Sequence, residues 1–254
     1  MKSKHATIIT GGGRGIGRAI ALRMSRNSSV FLVGRTESDL VSTCREIKDR
    51  GGTAQFLVGD ISDPAVANQA VELVIASGLK IRNLVLNAGI ARGNAAHKIT
   101  RDDWLNTFAV NVHGNFWFVQ ACLPHMVAAR KGYICFINSI LGLKGRKYDA
   151  LYSATKHAQV GLARSLGEEY AKHGIVTVPV CPHFVDTEMT RRMFPTIARH
   201  KGITEAEAES LIASQNPQGR IIAPEEVAEA VALICSGKVD SLNGQAMVLG
   251  GGVQ

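Results

Sequence analysis

Apolar residues follow two patterns that alternate along the chain. Short runs rich in β-branched residues are typical of buried strands, and longer segments with apolar residues every three or four positions are typical of helices. The first pair is a strand over residues 6–10 and a helix over about 15–27. Further strands are predicted over residues 30–33, 54–59, 84–87, 133–137, 175–180 and 246–249.

Polar residues, prolines and glycines mark the ends of the predicted helices. Residues 36–39 and 100–103 both run from Thr to Asp, a capping-box pattern, and Asp63 precedes a proline suited to the first helical position. A helix from residue 102 to about 131 is expected to bend near Pro124, whose nitrogen carries no hydrogen to donate. A helix over 151–172 is expected to end at Gly174.

Strands that alternate with helical crossovers indicate parallel pairing, with helices covering both faces of the sheet. The sequence therefore predicts an α/β fold: a single doubly wound Rossmann-type domain over 1–254, built on a seven-stranded parallel sheet. One connection, at about 188–218, is long, polar and helical in period. An extended connection of this kind predicts a lid over the substrate.

Composition excludes several classes of protein. Hydrophobic residues make up 46% and charged residues 20%, which is ordinary globular usage and excludes a disordered, collagen-like or coiled-coil chain. The net charge of +8 favours anionic partners, but the basic residues are scattered, so no nucleic-acid binding is expected. The five cysteines form no C-x-x-C pair, and no apolar run approaches 18 residues. We expect reduced thiols, no metal site, no membrane contact and a cytoplasmic location.

A glycine-rich turn follows the first predicted strand and opens the first helix. At that position backbone N–H groups and the helix dipole can hold a pyrophosphate. The spacing is Gly-x-x-x-Gly-x-Gly, which differs from the commoner G-x-G-x-x-G, and such turns also arise for steric reasons alone. The residues predicted to bind the phosphates are Gly11, Gly13, Arg14, Gly15, Ile16 and Gly17.

The end of the second strand predicts which dinucleotide binds. NAD-selective sites usually place a carboxylate there, whereas this chain has Gly34 and Arg35. Arg35 and Arg14 are predicted to converge on a 2′-phosphate, which makes NADP(H) the expected cofactor. Asn87, Ala88 and Gly89 follow the fourth strand at the same edge and allow a cofactor to approach, although the tripeptide is equally compatible with an ordinary turn.

A Ser, a Tyr and a Lys form the candidate catalytic group. Tyr152 and Lys156 lie one helical turn apart, and Ser139 precedes Tyr152 by thirteen residues. A cation near the phenol is expected to lower the pKa of Tyr152, as a proton donor to a nascent alkoxide requires. A Tyr and a Lys at this spacing also occur by chance on helices, so the phosphate turn is what favours the catalytic interpretation.

With these motifs together, the sequence resembles the short-chain dehydrogenase/reductase family along essentially its whole length. The resemblance implies that Tyr152 is the general acid/base, that Ser139 polarises the substrate carbonyl, and that Lys156 binds the nicotinamide ribose. It implies that Asn111 holds a water for proton relay. The motifs lie at residues 10–17, 60–61, 87–89, 111–112, 139, 152–156 and 243–245.

The same resemblance implies further cofactor contacts. Asp60 and Ile61 would bracket the adenine, and Val185 and Thr187 would touch the nicotinamide carboxamide. The chain departs from the family at His183, where a glycine is usual. His183 is expected either to narrow the site or to occupy a conformation that tolerates its bulk.

The function implied is NADPH-dependent reduction of a carbonyl to a secondary alcohol, since the chain looks most like 3-oxoacyl-carrier-protein reductases. A 3-oxoacyl thioester of CoA or of an acyl carrier protein is the leading substrate, with Arg130, Lys131 and Lys172 placed to dock an acidic carrier. Another small ketone, hydroxy acid, sugar or steroid is the alternative substrate, and a non-catalytic dinucleotide sensor is the alternative class. The resemblance also implies that two helices pack against their copies in a homodimer or homotetramer, whereas the alternative is that their apolar residues all belong to the core: Phe116, Trp117, Leu162 and Leu166.

Overall fold

One parallel sheet organises the chain, for which the computed structural model describes residues 4–252. Its strand order is β3-β2-β1-β4-β5-β6-β7. Strands β2 and β3 are therefore added on one side of β1, and β4 to β7 are added on the other side. This confirms the predicted doubly wound seven-stranded fold. The strands are β1 His5–Thr10, β2 Ser29–Gly34, β3 Ala54–Val58, β4 Lys80–Leu86, β5 Gly132–Ile137, β6 Ile175–Pro182 and β7 Met247–Leu249.

Helices connect successive strands and cover both faces of the sheet. Their bounds are α1 Gly15–Met24, α2 Glu37–Asp49, α3 Pro64–Ala76, α4 Arg101–Phe108, α5 Asn115–Ala129, α6 Ala150–Tyr170, α7 Glu188–Arg191, α8 Phe194–Lys201, α9 Glu205–Ala213 and α10 Pro224–Cys235. A π-helical turn, Ala109–Gly114, joins α4 to α5.

Two hydrophobic layers hold the helices to the sheet. Successive strand residues point to opposite faces, so Ile9 packs in one layer and Ile8 in the other, and both are fully buried. The layer around Ile9 receives α1, α2 and α10, and the layer around Ile8 receives α3, α5 and α6. Leu166 of α6 is buried in the second layer, so this residue, predicted to support self-association, belongs to the core instead.

Three predicted features of the helices and strands differ from the structure. The helix irregularity falls at the π-helical turn, and Pro124 lies inside α5, where the helix continues. Thr36 makes no side-chain cap bond, whereas Asp63 and Thr100 do cap their helices. β4 begins at Lys80, four residues early, because its polar first half still pairs with β1.

The 188–218 segment contains α7, α8 and α9 and has a small hydrophobic cluster of its own. Phe194 and Ala198 of α8 pack there with Ala208 and Ile212 of α9, against Phe184 at the end of the sheet. The segment is therefore a folded unit with few links to the main core. Elsewhere, all five cysteines are buried without disulfides, and no helix among residues 4–252 is long and apolar enough to cross a bilayer.

Candidate active site

The glycine-rich turn is built so that only glycine fits at several of its positions. Gly11 and Gly15 have φ of +66° and +52°, which favours residues without a Cβ. A Cβ on Gly17 would lie 2.1 Å from the carbonyl oxygen of Gly11. The Gly11 N–H donates to the carbonyl of Val33 at 2.7 Å, which fixes the turn to the end of β2. These contacts leave an open backbone cradle at the start of α1.

The cradle fits a dinucleotide pyrophosphate. Arg14 occupies the N-cap position of α1 but makes no side-chain cap bond, so its side chain gives the first helical N–H groups no acceptor. A phosphate placed there would supply acceptors and face the positive end of the helix dipole. The chemistry of the turn therefore suits the cofactor that the sequence predicts.

Asn87 ties the turn to the end of β4. Its Nδ2 donates to the carbonyls of Thr10, at 3.1 Å, and Gly11, at 3.0 Å. The Thr10 hydroxyl in turn accepts from the N–H groups of Asn87 and Ala88, both at 3.0 Å. A Cβ on Gly89 would lie 4.0 Å from Lys156 Nζ. The 87–89 tripeptide therefore connects the phosphate turn to the catalytic group and is more than an ordinary turn.

Both arginines predicted to bind a 2′-phosphate already contact carboxylates. Arg14 pairs with Glu188 at 2.7 Å, and Arg35 lies 3.8 Å from Asp60, with exposed side chains in both cases. Burial acts to raise the pKa of Asp60. The hydrogen bonds that Ser62 donates and the positive charge of Arg35 together lower this pKa below its usual range. Glu188, which the sequence analysis missed, links the phosphate turn to the 188–218 segment.

Asn111 lies in the π-helical turn and is fully buried. Its Nδ2 donates to the Ile90 carbonyl at 2.8 Å and to Thr155 Oγ1 at 3.1 Å, and its Oδ1 accepts from the Ile90 N–H at 2.8 Å. The backbone carbonyl of Asn111 accepts from Gln159 Nε2 at 2.6 Å. The side chain thus joins the loop after β4 to α6. Ile61 lies against the same π-helical turn, since a Cβ on Gly114 would be 2.7 Å from its carbonyl oxygen.

Ser139, Tyr152 and Lys156 meet at the carboxyl ends of β5 and β6. The Ser139 side chain hydrogen-bonds the phenol of Tyr152, and its Oγ also accepts from the Leu141 N–H at 3.2 Å. The Lys156 Nζ lies 5.5 Å from the centroid of the Tyr152 ring. The structure therefore brings together the three side chains that the sequence spacing singled out.

The pKa of Tyr152 departs from the expected direction. Burial raises it, and Asp149 adds to that effect, whereas Arg146 and the Ser139 hydrogen bond lower it. The Lys156 ammonium donates to the Ile137 carbonyl at 2.8 Å and to Gln159 Oε1 at 3.1 Å, and burial lowers its pKa to about 8. The prediction that Lys156 depresses the phenol pKa is therefore wrong for the protein without cofactor.

Two buried amides that the sequence analysis missed hold this group together. Asn138 Nδ2 donates to the Lys156 carbonyl at 2.9 Å and to Gln159 Oε1 at 3.1 Å, and its Oδ1 accepts from the Ser139 N–H at 2.8 Å. Gln159 then links Lys156 to Asn111. The sequence signal that could have identified them is the occurrence of a polar amide at a position where the pattern predicts a buried apolar residue. Asn138 stands directly before Ser139, and Gln159 stands three residues after Lys156.

The segment after β6 closes the other side of the site. Thr187 caps α7 and lies against the phosphate turn, because a Cβ on Gly15 would be 3.4 Å from its Cγ2. Val185 is buried and pairs with Ile222. The φ of His183 is not positive, since Arg130 and Tyr148 are the non-glycine residues with positive φ between residues 4 and 252. His183 therefore replaces glycine without backbone strain, and its imidazole contacts Asn216 of the 188–218 segment.

A cavity of about 300 Å³ opens beside the catalytic group. It lies between the turn after Ser139, the loop before Tyr152 and the end of the 188–218 segment. Its walls are formed by Ile140, Leu141, Lys144, Gly145, Arg146, His183 and Gln215.

Comparison with known families assigns the class of protein that this fold and site define. The family model described as short chain dehydrogenase matches residues 5–198, well over half of the chain. The chain therefore belongs to the short-chain dehydrogenase family and is an oxidoreductase.

Individual relatives resemble the chain over nearly its full length. A variant of actinorhodin polyketide ketoreductase, crystallised with NADPH, is 30% identical with a TM-score of 0.95, and the match covers 100% of both chains. The 3-oxoacyl-(acyl-carrier-protein) reductase of Aquifex aeolicus is 31% identical, covering 97% of this chain and 96% of that protein. The structure of levodione reductase is 25% identical with a TM-score of 0.92, covering 99% of this chain and 98% of that one.

Proposed function

We propose that this protein is an NADPH-dependent ketoreductase that reduces 3-oxoacyl thioesters. The observation that carries the proposal is the junction of Ser139, Tyr152 and Lys156 on the same sheet edge as the phosphate turn, with a cavity opening next to Ser139 at Ile140 and Leu141. The carbonyl-reducing relatives named above, one of them crystallised with NADPH, support the reaction class. The nicotinamide, when bound, supplies the hydride that reaches the carbonyl carbon.

Tyr152 is the proton donor in this proposal. Because burial raises the pKa of Tyr152, its hydroxyl is protonated at neutral pH and can donate to the oxygen of the substrate. Ser139, already hydrogen-bonded to that hydroxyl, donates to the same oxygen and holds it in place. Lys156 carries its charge below pH about 8 and lies over the Tyr152 ring, so it favours the phenolate left after proton transfer.

The remaining residues bind the cofactor and order the site. Arg14 and Arg35 are the proposed ligands of the 2′-phosphate, and Asn111 positions α6 through its bonds to Ile90 and Thr155. The 188–218 segment is the proposed lid, since Glu188 and Asn216 contact the two ends of the site. The other proposed cofactor contacts are Gly11, Gly13, Gly15, Ile16, Gly17, Asp60, Ile61, Asn87, Ala88, Gly89, Val185 and Thr187.

An acyl carrier would dock through the basic residues before β5 and β6. Arg130 Nη2 donates to the Lys172 carbonyl at 3.1 Å, so these two residues adjoin, while Lys131 is paired with Asp240 at 3.1 Å. We also propose self-association through α4, α5 and α6, of which α4 exposes Trp104 and α5 exposes Phe116. A cytoplasmic location is proposed too, because reduced cysteines would persist there.

A substrate panel tests the function. NADPH oxidation is measured with acetoacetyl-CoA, longer 3-oxoacyl thioesters, simple ketones, cyclic diketones and sugars. The proposal expects the highest kcat/KM for 3-oxoacyl thioesters. A clear preference for a cyclic diketone would favour the second candidate, a small-ketone reductase, which the likeness to levodione reductase supports.

Salt dependence then separates a carrier-bound substrate from a free one. Docking through exposed charges weakens steeply as ionic strength rises, whereas binding of a small neutral thioester does not. The carrier proposal expects kcat/KM for a carrier-linked substrate to fall with salt, while that for the same acyl group on N-acetylcysteamine stays nearly constant. Equal salt dependence for both would contradict it.

A further inference from the structure

Gln159 is a buried polar residue on the helix that carries Tyr152 and Lys156. It lies on α6, three residues after Lys156, and is as deeply buried as the apolar residues Val160 and Ala163 of the same helix. Burying an amide costs free energy unless its polar atoms are hydrogen-bonded. The contacts that satisfy the amide of Gln159 therefore indicate its role.

Each end of this amide has a partner that fixes its orientation. Gln159 Oε1 accepts from Lys156 Nζ and from Asn138 Nδ2, both at 3.1 Å. Gln159 Nε2 donates to the Asn111 carbonyl at 2.6 Å. Because an ammonium can only donate and a carbonyl can only accept, the amide cannot be reversed. Gln159 therefore bridges Lys156 to Asn111 directly.

The bridge occupies the carbonyl of Asn111. That carbonyl also accepts from Asn115 Nδ2 at 2.7 Å, so two side-chain amides use both of its lone pairs. The resemblance described above implies a water held at Asn111 for proton relay. A water placed between the Asn111 carbonyl and Lys156 would have to displace the amide of Gln159.

The bridge also stabilises the charge of Lys156. Two of the three N–H groups of the ammonium are engaged, one by the Ile137 carbonyl at 2.8 Å and one by Gln159. The titratable groups that face Lys156 are Tyr152 on the same helix and Cys181 at the end of β6. Burial raises the pKa of both, so both are neutral in the range where Lys156 titrates. The end of β5 and the π-helical turn present carbonyls and amides, so Gln159 Oε1 is an acceptor that favours the charged ammonium.

We propose that Gln159 is a positioning residue for the reduction: its side-chain amide, in place of a water, joins the ammonium of Lys156 to the carbonyl of Asn111 and so holds that ammonium beside Tyr152. The inference rests on the proposed function, because the bridge affects the reaction only if Lys156 favours the phenolate of Tyr152. The charge of Lys156 can be measured without a substrate, so the two proposals can be tested separately.

Two substitutions distinguish this role from packing. Gln159→Leu keeps a similar volume but offers Lys156 no acceptor, so the pKa of Lys156 should fall by about one unit. Gln159→Ala makes room for a water that would have Lys156, Asn138 and Asn111 as partners, so the shift should be smaller. If packing alone mattered, the order would be reversed, because alanine leaves the larger cavity.

Chemical unfolding of the cofactor-free protein between about pH 6 and 11 reports the charge of Lys156. The folded pKa of Lys156 is about 8 and its ordinary value is 10.5, so stability rises between these pH values. In Gln159→Leu the rise should begin about one pH unit lower. Asn83→Leu is the matched control, because it removes a buried amide of β4 that bonds Thr7. It should lose stability without shifting the profile.

The pH profile of kcat/KM for NADPH oxidation by a 3-oxoacyl thioester gives a second measurement. Its high-pH limb should shift in the same direction in Gln159→Leu, and less in Gln159→Ala. Unfolding profiles that coincide for Gln159→Leu and wild type, or a Gln159→Ala profile shifted as far as that of Gln159→Leu, would overturn the inference. A wild type that reduces no 3-oxoacyl thioester would overturn the proposed function, and the unfolding profiles would still decide the inference.

Discussion

The choice between NADPH and NADH should depend on Arg35. This residue follows β2, where an NAD-selective site would have an acid, and its side chain is 66% exposed. Its closest carboxylate, Asp60, lies 3.8 Å away, too far for a strong bond, so the guanidinium remains available for a 2′-phosphate. Arg35→Asp removes this attraction and adds a repulsion.

The size of the change follows from these contacts. A charge-assisted hydrogen bond contributes about 1.5 kcal/mol at the weaker, exposed end of its range. An exposed pair of like charges adds up to about 1 kcal/mol of repulsion. The sum of about 2.5 kcal/mol corresponds to roughly a 70-fold change in the ratio of kcat/KM for NADPH to that for NADH. Wild type should prefer NADPH at least tenfold, and the variant should move this ratio roughly 70-fold towards NADH.

Steady-state assays with both cofactors at low ionic strength measure this ratio. Arg50→Asp is the matched control, because Arg50 lies at the opposite end of α2, paired with Glu46, and the substitution changes the charge equally. It should leave the ratio unchanged. The reasoning would be refuted by a wild type that uses NADH equally well, or by an Arg35→Asp variant whose ratio of kcat/KM for the two cofactors equals that of wild type.

Three further substitutions test other parts of the site. Glu188→Gln removes the carboxylate that pairs with Arg14, so KM for NADPH should fall by up to about fivefold, as expected for an exposed ion pair. Gly17→Ala places a Cβ 2.1 Å from a backbone oxygen, so calorimetry should show NADPH binding lost, whereas Gly161→Ala, with open space around it in α6, should bind normally and gain about 0.5–1 kcal/mol of stability. Lys156 has a folded pKa near 8 against 10.5 when exposed, so the unfolded chain binds more protons between these pH values and the stability of the cofactor-free protein should rise through that window. Chemical unfolding of Lys156→Met should lack that rise, which amounts to a few kcal/mol at most.

Each of these expectations has a contradicting result. A higher KM for NADPH in Glu188→Gln would mean that the Arg14 ion pair supports cofactor binding instead of competing with it. Normal NADPH binding by Gly17→Ala would show that the cradle tolerates a Cβ. Parallel pH profiles for wild type and Lys156→Met would mean that the ammonium is not destabilised by burial.

The pattern of apolar residues predicted the sheet because its strands are buried on both faces. Ile8 and Ile9 enter opposite layers, so the apolar run that contains them reads as a strand covered on both faces. The start of β4 was missed because it contains polar residues. Asn83 is buried there, and its amide donates to the Thr7 hydroxyl at 2.8 Å, a bond between strands that no local pattern reveals.

In the site, too, contacts within one helix could be predicted from the sequence, whereas contacts between distant segments could not. Tyr152 and Lys156 are one helical turn apart, so their proximity could be predicted from spacing alone. The pairing of Arg14 with Glu188 spans 174 positions and exists only because β1 and β6 end at one edge of the sheet. The pKa of Tyr152 could not be predicted either, because it depends on how deeply the fold buries the phenol.

The central claim is that Tyr152 donates the proton during NADPH-dependent reduction, and Tyr152→Phe tests it most directly because only the hydroxyl is removed. The measurement is single-turnover oxidation of NADPH by a 3-oxoacyl thioester, together with a fluorescence titration of NADPH binding. We predict a rate lower by roughly 10²- to 10⁴-fold with the Kd for NADPH nearly unchanged. A near-normal rate in the variant would contradict the account and require another acid, of which His183 is the first to examine.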